Sequence, residues 1–307
     1  MRKSSSDHRV LYFLTDPHHL LKTLRNCVHN SGKLSKAKNS QGCTVRCMTK
    51  NGERLEWSTI RRLYETRKGN TARTTYKLNQ EDVNLTSYSI MSVARAARVL
   101  SRSVAIALRN LKWENSSELA TYCETCNDLF DMLNGNHVYH GNRTNNRFFK
   151  PYEDVNDSRF EELLNKWKYF EEWNKEVSKL KMKAEEKARR FISAETYQGV
   201  ERTVKGFNGA VKYLLELGKD SDRKPQIIAR VFSQDDLEHY FGKLRAKFGG
   251  NRHPNLHEAV QGTTSLYAQS KIAFGGRKRD NTTVNTPPTV EDLSAPLPKR
   301  VRRKLDT

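Results

Sequence analysis

Apolar residues recur at helical spacing through most of this 307-residue chain, which leaves little room for a sheet-based fold. Between 158 and 192, Leu163, Trp167, Phe170, Trp173, Val177 and Leu180 make one stripe. The Lys and Glu residues between them stand at distances that allow i, i+4 pairing. The segment reads as one long helix. Ile90, Val93, Ala94, Ala97, Leu100, Val104 and Leu108 keep the same period, as do Ala120, Cys123, Cys126, Leu129, Phe130 and Leu133. Further helices are expected over 198–217 and from Asp235. One short run reads as a buried strand, the apolar, aromatic-rich Val10-Leu11-Tyr12-Phe13-Leu14. Asp16 and Pro17 follow, and Pro17 can open a helix carrying Leu20, Leu21, Leu24 and Val28 inward. Residues 30–53 read as a loop and 136–151 as an exposed connection. The expected fold class is therefore mainly α with a small α/β part.

Charge narrows the partners. Lys and Arg number 55 against 35 Asp and Glu, a net charge of +20. Such an excess suits a polyanion, nucleic acid above all. A basic membrane-surface protein would need a strongly apolar amphipathic stretch, and none stands out. No run approaches the ~18 apolar residues of a membrane span, and no secretory leader follows Met1. Five cysteines, an odd number, fit free thiols in a reducing compartment. Cys43-x₃-Cys47 and Cys123-x₂-Cys126 invite a zinc reading. The second pair falls inside a helical stripe, where packed thiols are the simpler expectation. Apolar content collapses after Gly275. The tail ends with Lys299, Arg300, Arg302, Arg303 and Lys304 beside a Pro-rich stretch, which is expected to be disordered and to direct the protein to the nucleus.

Two carboxylates sit where helices begin. Asp16 ends the strand-like run, and Glu238 lies in the first turn of the helix opening near Asp235. Phosphodiester chemistry commonly uses two divalent metals held by converging carboxylates, so Asp16 and Glu238 are candidate ligands. Each could equally serve its helix, Asp16 as a cap and Glu238 as favourable charge at the N-terminus. Just after Glu238, Lys243, Arg245, Lys247 and Arg252 form a basic cluster suited to DNA phosphates. A solvated helix face is its plain alternative.

The segments around these acids carry a resemblance. Asp16-Pro17-His18-His19-Leu20-Leu21-Lys22 resembles the Asp-Pro-Pro-His-Leu-Leu-Lys of P-element-type (THAP-domain family) DNA transposases, with His18 in place of a proline. Leu55–Ile60, Met91–Ser101, Leu129–Asn134, Phe191–Ser193 and Lys212–Leu215 resemble successive blocks of the same family in order. Gln234–Glu238 through Gly249–Asn255 is the most specific match. The resemblance implies a partial ribonuclease-H-like core split by a large helical insertion domain. Core residues would be 1–29 and 226–274, the insertion 30–225 and a basic tail 275–307. It implies that Asp16 and Glu238 are the second and third catalytic acids and hold Mg²⁺.

There is no GxxxxGK[ST] phosphate loop. The resemblance nonetheless implies a GTP-binding insertion, with Lys77, Val93, Ser101, Phe130, Asp131, Asn134 and Asp235 at the contact positions. Asp131 and Asn134, at i and i+3, would read guanine, Phe130 would stack on it and Lys77 would meet phosphate. DNA, GTP and a second copy of the chain are the implied partners. The zinc-coordinating module and first catalytic acid of the family have no match in this sequence. The chain is thus expected to be a fragment that does not transpose alone. The alternative is a domesticated, non-catalytic nuclear protein that binds GTP and DNA.

Overall fold

The structure, a computed structural model, describes residues 10–34, 45–67, 75, 77–135, 146–220, 224–249 and 255–275. It is mainly α-helical, with one two-stranded sheet among the described residues. The chain divides into two units, 1–235 and 236–307.

The first unit holds nine helices among its described residues before the boundary: α1 (Pro17–Asn30), α2 (Trp57–Arg67), α3 (Gln80–Val83), α4 (Val93–Val99), α5 (Arg102–Leu111), α6 (Ser117–Leu133), α7 (Ser158–Ser178), α8 (Ala184–Arg190) and α9 (Ala194–Leu217). Helix α1 begins as its sequence dictates. The Asp16 carboxylate accepts from the His19 N–H at 2.8 Å, and Pro17 occupies the first turn, where no N–H is needed. Leu20, Leu21, Leu24 and Val28 then enter a core shared with α4, α6 and α9. Truncating Leu24 to Ala would cost about 2–5 kcal/mol. Tyr122 of α6 is fully buried, and its hydroxyl donates to the Leu24 carbonyl at 3.0 Å. The Cys123 and Cys126 thiols lie buried beside it, free of disulfides, and burial pushes Cys123 up to about 12. Among the described residues no group of three or more His, Cys, Asp or Glu side chains is placed to hold a metal. Cys43 lies outside those residues.

Several elements differ from the sequence reading. Val10–Leu14 is extended but forms no strand, and Val10, Leu11 and Phe13 are exposed. Its support is a helix rather than a sheet. It runs along α9, where Cβ atoms added to Gly206 and Gly209 would come 2.2 Å from the Phe13 carbonyl oxygen and 2.4 Å from the Tyr12 ring. Thr203 completes the seam: the Thr15 N–H donates to its hydroxyl at 2.9 Å, and the hydroxyl donates to the Thr15 carbonyl at 3.0 Å.

Within the expected loop 30–53, β1 (Thr49–Lys50) pairs antiparallel with β2 (Glu53–Arg54). Asn51 and Gly52 turn the chain with φ of 48° and 82°, the Asn-Gly signature of a two-residue hairpin. The apolar period from Ile90 to Leu108 is cut into α4 and α5 by two serines. Ser92 and Ser101 each cap the next helix, accepting from the Arg95 and Val104 N–H groups. The stripe over 158–192 is broken at 179–183, between α7 and α8. There Lys187 donates to the Ser178 carbonyl at 2.6 Å and closes the bend.

The second unit contains α10 (Asp235–Lys247) beyond its first residue, which belongs to the first unit, and α11 (Leu256–Gly275). Leu244 is buried, and a Cβ on Gly262 would stand 2.5 Å from it. Lys243 and Arg245 are exposed on α10, while Lys247 bonds Ser265. Arg252 and the basic tail lie outside the described residues. No helix among them is long and apolar enough to cross a membrane.

Candidate nucleotide-binding cavity

The start of α5, the end of α6, the segment 146–149 and Thr75, Lys77 and Leu78 line a two-lobed cavity in the first unit. The smaller lobe, about 270 Å³, is lined by Leu21, Phe130, Asp131, Asn134 and Arg230, among others. The larger, about 530 Å³, is lined by Thr75, Lys77, Arg98, Ser101, Arg102 and Ser103, among others. Ala97, Asn127, Asp131 and Phe149 belong to both walls. Together they fall within the ordinary range for small-molecule sites, ~300–1,000 Å³.

The smaller lobe is built to accept hydrogen bonds. Asp131 stands one turn from the end of α6, and its Oδ2 accepts from Asn127 at 3.0 Å and Asn146 at 2.9 Å. Burial outweighs these bonds and raises its carboxyl to about 6. Asn134 is the C-cap of α6, and its buried Oδ1 has no hydrogen-bond partner. An orphaned buried acceptor is costly unless a donor arrives. Phe130 is partly buried beside them, with the His18 ring at 5.5 Å.

The larger lobe is cationic. Ser101 caps α5, so the N-terminus of that ten-residue helix opens at the Ser101–Arg102–Ser103 wall. Such a terminus favours anions. Lys77 and Arg102 stand on the same wall. Arg102 also bonds Asp128 at 3.0 Å, and Lys166 bonds that acid at 2.6 Å, so Asp128 is already neutralised. Arg98 is committed to structure as well. It grips the fully buried Asp82 with two bonds of 2.8 Å, which raise its own pKa.

Of the residues expected at a nucleotide, Lys77, Ser101, Phe130, Asp131 and Asn134 line this cavity. Val93 instead packs against the core at the start of α4. Asp235 is not among the lining residues and is bonded to Arg230 at 2.9 Å and to His18 at 2.8 Å. Sequence reasoning missed Arg98, Arg102, Asn127, Asn146 and Arg230. The Arg98-x-x-Ser101-Arg102 spacing, flanking a cap, was the available signal for the first two.

The expected metal ligands, Asp16 and Glu238, belong to different units. Both Asp16 oxygens are occupied: Oδ1 accepts from the Gln234 N–H at 3.1 Å and Oδ2 from His19. Its observed work is capping α1 and tying down 229–235. Glu238 is exposed on α10 in the second unit.

The helical fold and its polarised cavity define a candidate nucleotide site. Residues 18–146 match the family described as TNP-like, GTP-binding insertion domain. The chain is also 24% identical over 276 residues to the Transposable element P transposase of Drosophila melanogaster. That similarity covers 85% of this chain and 32% of the relative, so the chain spans about a third of its length. A solved structure, the Drosophila P element transposase strand transfer complex, superposes with a TM-score of 0.61 at 20% identity. It covers 84% of this chain and 52% of that one. The chain is a relative of P-element-type transposases, with its match to the insertion domain spanning α1 to α6.

Proposed function

We propose that the first unit is a guanine-nucleotide-binding module, with guanine in the smaller lobe and phosphates in the larger. One observation carries this reading: the orphaned Asn134 Oδ1 lines the same lobe as the Asp131 carboxylate. Two acceptors suit the N1–H and N2–H₂ donors of guanine. Adenine presents an acceptor at N1 and lacks the N2 amine. Phe130 supplies an aromatic face for the base. Lys77, Arg102 and the α5 N-terminus supply a cationic end, doing without a glycine-rich loop what such a loop does with backbone N–H groups.

The module serves DNA transactions in this proposal. The support is the net charge of +20 and the similarity to a transposase whose solved form is a strand transfer complex. Lys243, Arg245, Lys247 and Arg252 are the proposed DNA-phosphate contacts. Asp16 and Glu238 are the proposed acids of a ribonuclease-H-like site. Titration calorimetry of the full chain with GTP and ATP tests the central claim. GTP should bind at least tenfold tighter; equal affinities would remove guanine recognition.

A further inference from the structure

We propose that Arg230 reads the O6/N7 edge of the bound base and that Asp235 holds it in place. This rests on the guanine reading above. That reading leaves an edge unaccounted for, because Asp131 and Asn134 are acceptors, and they satisfy only the donor edge of guanine. O6 and N7 are acceptors and need a donor. Arg230 is the guanidinium lining the same lobe. Arginine facing O6 and N7 of guanine is a frequent specific contact in nucleic-acid recognition. Adenine would oppose it with an amine, donor against donor.

The position of Arg230 is built. Its backbone N–H donates to the Gly135 carbonyl at 3.0 Å, directly after Asn134. Its Nη2 bonds Asp235 Oδ2 at 2.9 Å. The other Asp235 oxygen meets His18 Nδ1 at 2.8 Å, and the His18 ring lies against Phe130. Arg230, Asp235, His18 and Phe130 therefore form one linked set around the base end. The Arg230 side chain is 42% exposed, and a guanidinium has five N–H donors, so bonds remain for a ligand after Asp235 is served. Asp235 becomes a positioning residue, which accounts for its bond to a residue that lines the lobe. The plain alternative is a surface ion pair of little energetic weight.

The test uses the full chain with GTP, 6-thio-GTP, ITP and ATP. 6-thio-GTP replaces O6 with sulfur, a weak acceptor, and keeps N1–H and the N2 amine. ITP keeps O6 and loses the amine. The wild-type chain should bind GTP more tightly than either analogue. Arg230→Ala should weaken GTP by about tenfold or more and bind 6-thio-GTP as well as GTP, while still preferring GTP to ITP. Arg230→Lys should recover part of the loss. Asp235→Asn should lower the GTP to 6-thio-GTP ratio in the same direction, with an unchanged thermal midpoint. An Arg230→Ala loss equal for GTP and 6-thio-GTP, or no loss at all, overturns the assignment and leaves the guanine reading standing. A wild-type chain that does not prefer GTP to ATP overturns both.

Discussion

The two lobes of one cavity are made in opposite ways. The smaller gathers acceptors at the end of a helix, two of them partly buried and one without a partner. The larger gathers cations and N–H groups at the start of a helix. A helix end is rich in acceptors and a helix start in donors, so bringing the end of α6 and the start of α5 to one cavity polarises it. The acceptor lobe should govern which base binds. The cationic lobe should govern how strongly any nucleotide binds, and how salt affects it.

The largest expected effect separates scaffold from ligand contact in the cationic lobe. Arg98 lines it, but both its bonds go to Asp82, which is 0% exposed. Arg98→Ala should leave that carboxylate with only Arg95 at 3.5 Å and the Asn79 N–H at 3.0 Å and lower stability by about 3 kcal/mol, seen as an earlier urea midpoint. An unchanged midpoint would return Arg98 to the nucleotide.

Asp131→Asn probes the other lobe. It exchanges an acceptor for a donor and should weaken GTP by about 1–3 kcal/mol while sparing ATP. Its pH behaviour gives a second handle. The carboxyl is raised from 3.8 to about 6 mainly by burial. The empty fold therefore loses stability as pH climbs through that window and the buried group ionises. Asp131→Asn should be more stable than the wild type above about pH 6, with the gap closing below about pH 4. GTP binding needs the ionised acceptor, so wild-type affinity should fall below about pH 6, and the mutant's should fall less. Parallel pH profiles would show that Asp131 does not touch the base.

Lys77→Ala should have the smallest effect, about 1 kcal/mol. It should weaken GTP and ATP alike, flatten the salt dependence, and leave guanosine untouched. A loss confined to GTP would mean the two lobes are not divided as described.

Helices and caps were legible in the sequence because they are local. Asp16-Pro17 announces α1, and the Leu20, Leu21, Leu24 and Val28 stripe sets its buried face. The breaks at Ser92 and Ser101 were legible in type but were masked by an unbroken apolar period. Asn51-Gly52 was a hairpin signal overlooked amid polar neighbours. The Val10–Leu14 run shows the opposite limit. Its composition says strand, yet its partner is a helix face, and composition does not name the partner. At the cavity, Asp131, Asn134 and Phe130 were found through family resemblance. Arg230 was not, since its place depends on a backbone bond to Gly135 that no spacing encodes. Asp235 was expected to touch the ligand. In the fold its carboxylate bonds Arg230 and His18.

The seam between residues 12–15 and α9 works as a gauge. A helix surface ordinarily lets an extended segment settle at several heights, because side chains yield. Here two glycines and a threonine leave fixed notches: one for the Phe13 carbonyl, one for the Tyr12 ring, one for the Thr15 backbone. Asp16 follows immediately, so its height along the α9 axis is fixed by atoms that are absent, and Gly206→Ala would move that carboxylate without touching it.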